Sequence, residues 1–351
     1  MKVRRLLPWV SAVVAIVMLS VAAVAAFAAS SAPGKKGATT TRVAVVSDIG
    51  GLNDKGFNQL SNVGLQRAIR ELKIQGRMYV TNSANDRTPN LRTAAQSGAG
   101  LVLPIGVLFA FGPLDAVAPS FSNVKFAGID VSWPDLQSKP TNVRGVQFKE
   151  QEAGYLVGYI AGLVVKDQRG PDIISAVGAN PVPAIVRFIA GYKAGAKRAN
   201  KRVKVLVNYA QDPTFADQAK CKETTLDQID RGTKVAFMVA GGCGLGGLTA
   251  AKEKRIWGIG VDADQYFLGK HILTSATKRV DTAVFDMIKK FKSNPAGFRG
   301  GFNTTYSVKN NGVGFGRLST RLSKAKRAEY TRKANVIKKL IAQGKIKPPA
   351  K

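Results

Sequence analysis

A chain of 351 residues with 53 Lys and Arg against 22 Asp and Glu carries a formal charge of +31. Apolar residues supply 45% and charged residues 21%, a globular composition that excludes a disordered or collagen-like chain. One His (His271) and two Cys leave too few soft ligands for a zinc or iron–sulfur centre, and any Ser-His-Asp or Cys-His engine would have to run through that single imidazole. No metal centre or iron–sulfur cofactor is therefore expected, and most catalytic constellations are left out.

The chain opens on Lys2, Arg4 and Arg5, followed by an uncharged apolar run from Leu6 to Ala29 that contains the A-x-A match Ala26-Phe27-Ala28. Residues 1–28 read as a signal peptide, so the rest is expected to be exported, at the cell surface or in a periplasm. The run is also long enough to remain as an uncleaved membrane anchor. No Cys near the junction offers a site for a lipid.

Short apolar, β-branched runs follow at 42–47, 78–81, 100–103, 124–129, 173–177, 203–207, 235–239 and 256–261, and each has the length of a buried strand. Longer stretches of helical period separate them. In the first, Phe57, Leu60, Gly64, Leu65, Ala68, Ile69 and Leu72 share one face, Asn53 or Asp54 is placed to cap its start, and Gly76 lies beyond its end. Strands alternating with helices imply parallel sheets with right-handed crossovers. About four strands fall before residue 140 and four after 170, which predicts two similar α/β halves. The segment Val143–Phe148, followed by a helix from about Gln151 to Val165, reads as the crossover and hinge between them. A last helix starting at Ser323 would place Val336, Ile337, Leu340 and Ile341 on one face, with Gly344 at its end.

The positive charge is concentrated at the C-terminus, where residues 287–351 hold 17 Lys or Arg and one acid, Glu329. Such a field attracts an anionic membrane or cell-wall surface, or serves only as a solvated face. An exported chain with Tyr330 as its only aromatic after Phe315 is not expected to bind nucleic acid.

Polar groups cluster where the predicted strands end. Asp48 follows the first strand, Asp130 the fourth, the loop Gly241-Gly242-Cys243-Gly244 the seventh, and Asp262 and Asp264 the eighth. In open α/β sheets ligands bind outside the carboxyl ends of strands, so two lobes facing each other would gather these groups around one cleft. Each Asp alone fits a helix cap or turn as well. Gly242-x-Gly244-x-x-Gly247, with Asp262 twenty residues on, satisfies a dinucleotide-binding fingerprint, and an exported dinucleotide-dependent oxidoreductase is the enzymatic alternative. Glycines also serve any close backbone approach. Cys221 and Cys243 are either a disulfide tying a helix to the rim of the cleft or two buried thiols.

The run Val46-Ser47-Asp48-Ile49-Gly50-Gly51-Leu52-Asn53-Asp54-Lys55-Gly56-Phe57-Asn58 resembles the signature of the basic membrane protein family of substrate-binding lipoproteins. Phe215-x-Asp217 before Lys220-x-Lys222, Ala240-Gly241-Gly242-x-Gly244, Gly260-Val261-Asp262-x-Asp264-Gln265 and Thr274-Ser275-x-x-Lys278 are similar to further family segments in the same order, over about residues 42–345. Gly56 stands where the family often has Ser. The resemblance implies a type I periplasmic-binding-protein fold: two doubly wound parallel-sheet lobes joined by a hinge, one from 41–147 plus about 270–295, the other from 148–269 plus about 296–345. It implies a monomer that hands nucleosides, purine nucleosides above all, to the permease of an ABC importer. Phe57 and Phe215 would sandwich the base, Asp48 and Asn58 would bind its edge, and Asp262, Lys278 and the Gly242 backbone would hold the ribose; Asp130 is a further cleft residue. The same fold holding a sugar or another small polar ligand, for uptake or sensing, is the alternative.

Overall fold

Alternation of apolar runs with amphipathic segments builds two similar α/β lobes in the computed structural model, which describes residues 40–351. The segment read as a signal peptide or anchor lies outside the described residues. The first half runs β1 (Arg42–Val46), α1 (Phe57–Leu72), β2 (Gln75–Tyr79), α2 (Arg87–Gln96), β3 (Leu101–Pro104), α3 (Pro113–Val117), β4 (Lys125–Ile129) and β5 (Val143–Phe148). The second continues with α4 (Glu150–Lys166), β6 (Ile173–Gly178), α5 (Pro183–Ala199), β7 (Lys204–Tyr209), α6 (Gln218–Asp230), β8 (Val235–Val239), α7 (Gly244–Glu253), β9 (Trp257–Asp262) and β10 (Ile272–Lys278). The chain then adds α8 (Val280–Ser293), β11 (Asn303–Tyr306), β12 (Val313–Phe315) and α9 (Lys324–Ala342).

The sheets have orders β2-β1-β3-β4-β5-β11 and β7-β6-β8-β9-β10-β12. All pairings are parallel except β10 with β12. Each lobe thus repeats the doubly wound order 2-1-3-4-5 and receives its sixth strand from the returning chain. Near-continuous burial of β1, β3, β8 and β9 follows from helices covering both faces. Helices α4 and α5 pack almost backbone to backbone, because a Cβ at Gly154, Gly158 or Gly195 would strike the facing main chain.

Several boundaries differ from expectation. Val143–Phe148 is a full strand of the first sheet, register-paired with β4 and β11, because Arg144 is satisfied inside by the Arg299 carbonyl at 2.8 Å. Strand β10, expected in the first lobe with residues 270–295, pairs instead with β9 of the second sheet, while α8 packs on α1 and β11 joins the first sheet. The chain therefore crosses between lobes three times, after β5, β10 and β11. Helix α1 ends in a left-handed Lys73, and Gly76 beyond it lies within β2 under Leu65 and Ile69. Phe215 lies in the turn before α6, whose cap is Asp217. In α9 the buried face is Tyr330, Ala334, Ile337 and Ile341, and Val336 points outward. Among the described residues no helix is long and apolar enough to cross a membrane.

Candidate functional site

A cleft enclosing about 750 Å³ of empty space, its open mouth included, lies between the carboxyl ends of the two sheets. Asp48, Phe57, Asn58, Asp130, Phe215, Gly242, Asp262 and Lys278 all line it. Residues separated by more than 200 positions in sequence are brought to one cavity because equivalent strands of both lobes end there.

The first lobe contributes its residues through a helix cap. Asp54 accepts the main-chain N–H groups of Gly56, Asn58 and Gln59 at 3.0, 2.8 and 3.0 Å, using the donors that the first turn of α1 leaves free. This sets Phe57, half-buried against the core, and Asn58 at the mouth of α1. Asn58 donates its amide to the carbonyls of Asp48 and Ile49 at 3.2 and 3.1 Å, and its Oδ1 is buried without a protein partner, leaving an acceptor for a donor group in the cleft. Asp48 is gripped by Arg87, the first residue of α2, at 2.7 Å, and burial outweighs that cation to raise its pKa.

The second lobe uses turns. Asp212 accepts from the N–H and hydroxyl of Thr214 and the N–H of Asp217, and Asp217 caps α6. Between them Phe215 is held at φ +57, a conformation uncommon for an aromatic residue, and its carbonyl accepts the Cys243 N–H at 3.0 Å. Gly241, at φ +56, and Gly242 pass so close to Phe215 that a Cβ on either would come within 3.3 Å of it. Cys221 and Cys243 form a disulfide with Cα atoms 5.5 Å apart, tying α6 to this loop. Of the fingerprint glycines only Gly242 reaches the cleft. Gly247, with Gly246 beside it, lies beneath α6, where a Cβ would collide with Thr225 or the Gln218 carbonyl, so close helix packing accounts for them.

Charge gathers where the lobes meet. Lys278, 2% exposed at the end of β10, donates to Asp130 of the first lobe at 2.6 Å and stands 3.0 Å from Glu150 Oε1, paired by charge without hydrogen-bond alignment. Arg187 on α5 holds the other Glu150 oxygen at 2.6 Å. The ammonium also lies over the rings of Phe57 and Phe148, at 5.1 and 4.8 Å. Asp130 and Asp262 occupy equivalent places after β4 and at the end of β9, and both adopt φ +63, where non-glycine residues are rare and often functional. Burial raises the Asp262 carboxyl to about 7; Lys278 opposes the rise, and Asp130, Asp54 and Glu150 add to it. Burial likewise raises Asp130 against the pull of Lys278. Burial disfavours the Lys278 ammonium, yet Asp130, Glu150 and Asp262 together hold its pKa above the ordinary lysine value. The lobes are further joined by Gln265, whose amide donates to the Lys55 carbonyl at 3.1 Å.

Asp264 turns away from the cleft to receive Arg317 at 3.1 Å. Sequence reasoning missed Glu150, Arg187 and Arg87, the partners that fix Lys278 and Asp48. Glu150 was visible as an acid opening a nearly all-apolar helix, a position that demands a buried cation. Among the described residues no cluster of His, Cys, Asp and Glu could hold a metal ion.

Two lobes of this topology with acceptors and one ammonium converging on the cleft between them define a solute-binding protein of the type I periplasmic-binding fold. Residues 41–349 match the family of PnrA-like ABC transporter substrate-binding proteins, and the chain belongs to that family, known as Bmp. It is 34% identical to the ABC transporter nucleoside-binding protein BmpA of Lactococcus lactis subsp. cremoris, over 97% of this chain and 99% of the relative. It is 32% identical to basic membrane protein A1 of Borrelia garinii subsp. bavariensis, over 80% and 82% of the two chains. The crystal structure of an ABC transporter solute-binding protein from Aeropyrum pernix superposes with a TM-score of 0.76 at 28% identity, covering 88% of this chain and 94% of that one. The family is one of substrate-binding proteins rather than enzymes, working with small-molecule ligands and a transporter permease.

Proposed function

We propose that the chain captures nucleosides, purine nucleosides in particular, and delivers them to the permease of an ABC importer. The observation that carries this reading is the pairing of one aromatic side chain from each lobe, Phe57 and Phe215, on a cavity that also presents carboxylates and a single ammonium. Aromatic faces stack on a base for about 1 to 3 kcal/mol each, and a purine offers the larger face. Asp48 and the free Asn58 Oδ1 are acceptors for donors on the base edge. Asp262 accepts from ribose hydroxyls, helped by Lys278 and the Gly242 N–H, and Asp130 completes the charge pattern around them. The nucleoside-binding name of the Lactococcus relative supports the same ligand class. Export and a place outside the cytoplasmic membrane belong to this reading, supported by the name of the Borrelia relative and by the leader-like first residues, and so does action as a monomer.

Thermal unfolding of ligand-stripped protein at high salt, with inosine, guanosine, adenosine, uridine, ribose and NAD, tests it. A ligand at 100 times its dissociation constant stabilises the folded state by about 2.7 kcal/mol, an easily read shift. Nucleosides are expected to raise the midpoint, purines most, and ribose to leave it unmoved. A shift with ribose alone makes the chain a sugar binder, and one with NAD alone revives the dinucleotide reading.

A further inference from the structure

The outer face of α9 forms one wall of a second, shallow and open groove, away from the cleft; the turn carrying Tyr266 and the segment 317–320 form the other. The helix divides its cations by face. Lys326 and Lys333 are neutralised by Asp167 and Glu329. Lys324, Arg327, Arg332 and Lys339, which line the groove, take part in no ion pair among the described residues, and Arg317 faces them from the opposite wall with Asp264 as its one acidic partner. The four helix cations extend over about 22 Å of axis at 1.5 Å per residue. Thr331 and Asn335 lie between them, beside apolar Ala328 and Val336, and Leu318 lies on the opposite wall.

A row of unneutralised cations along a shallow, open groove suits a linear anion, which can meet them one after another, better than a single phosphate. Base stacking has no platform here: Tyr266 is the only aromatic lining the groove, and Arg317 covers its ring at 4.9 Å. We propose that this groove binds a linear polyol phosphate chain through its backbone phosphates, independently of the ligand in the cleft.

The test is titration of the full chain with a glycerol phosphate oligomer of about ten units, chosen to span the row, at several salt concentrations. The variant Lys324→Gln/Arg327→Gln/Arg332→Gln/Lys339→Gln is compared with a charge-matched control, Lys193→Gln/Lys197→Gln/Lys201→Gln/Lys204→Gln, altered at exposed lysines of the same lobe. The groove variant is expected to lose at least tenfold in affinity and to show a shallower salt dependence, by about 3 units on the single-strand scale for four lost contacts. The control is expected to change less than threefold, and both to keep the unfolding midpoint of the unaltered chain. Should the fourfold variant unfold, Arg327→Gln/Arg332→Gln carries the same comparison. Equal losses in the two variants, or no binding by the unaltered chain, overturn the proposal. So does tighter binding of phosphatidylglycerol vesicles or oligothymidylate than of the oligomer.

Discussion

The two walls of the cleft solve one problem by different means. The first lobe presents Phe57 and Asn58 from a helix start held by local hydrogen bonds to Asp54, and Asp48 from the end of β1, gripped by Arg87 of α2. The second presents Phe215 and Gly242 from the loops that open α6 and α7, and a covalent bridge between Cys221 and Cys243 ties α6 to the glycine loop. Both walls enter the left-handed region, at Gly50, Gly51 and Lys55 on the first and at Phe215 and Gly241 on the second, and each turn is organised by one carboxylate, Asp54 or Asp212; the second adds a covalent tie. Lys278 belongs to neither scheme, since it spans the walls.

The largest effect should come from that bridging residue. Lys278→Met leaves Asp130, Glu150 and Asp262 buried together without the ammonium they share, and removing one partner of a buried ion pair costs about 3 to 5 kcal/mol. Urea unfolding should register the loss at neutral pH. If stability is unchanged, the lobes meet through packing and Gln265, and the charge cluster is incidental to closure.

Replacing both cysteines by Ser tests the second wall. The bridge closes a loop of 22 residues, worth about 3 kcal/mol in the chain-entropy model. Ligand affinity should fall together with stability, because the Cys243 N–H holds the Phe215 carbonyl. A variant that loses stability and keeps affinity would show that the Asp212 turn alone positions Phe215.

Much of this was legible in the sequence, and what was not has a common cause. Strands β1, β3, β4, β6 and β8 are runs of apolar residues because helices cover both faces. Strands β10 and β11 carry Thr in place of a continuous apolar run, and the Thr274 hydroxyl is satisfied by the distant Gly316 carbonyl at 2.9 Å, so no local pattern marks them. The cleft acids could be found because strand ends are readable. Their cationic partners could not: Arg87 is 39 residues from Asp48, and Arg187 is 37 from Glu150.

Asp262 gives an intermediate effect with a distinctive sign. Asp262→Ala should weaken nucleoside binding by about 1.5 to 3 kcal/mol, the scale of a lost charge-assisted hydrogen bond, as titration calorimetry would show. Its folded-state pKa of about 7 lies above the ordinary 3.8, so between those values the folded chain holds a proton that the unfolded chain has released. The stability this contributes is complete below about pH 4 and is lost as pH rises through 7. Ligand affinity should move the other way, because a ribose hydroxyl needs the ionised acceptor, by about tenfold per pH unit below 7 at most. Asp262→Asn should flatten both profiles, and parallel rather than opposed slopes in the unaltered chain would remove Asp262 from contact with ligand.

The smallest change tests the first wall. Asp54→Ala withdraws an acceptor from three N–H groups at the start of α1, and the loss of a helix cap costs about 1 kcal/mol. The stability loss should be modest, because α1 remains packed through Leu65 and Ala68. Affinity should suffer more than stability does, since the freed turn carries both Phe57 and Asn58 while little of the core depends on it. Calorimetric binding set beside urea unfolding of the same variant separates the two. If both fall by the same amount, the cap stabilises the lobe without orienting the site, and the two walls differ only in how they are tied.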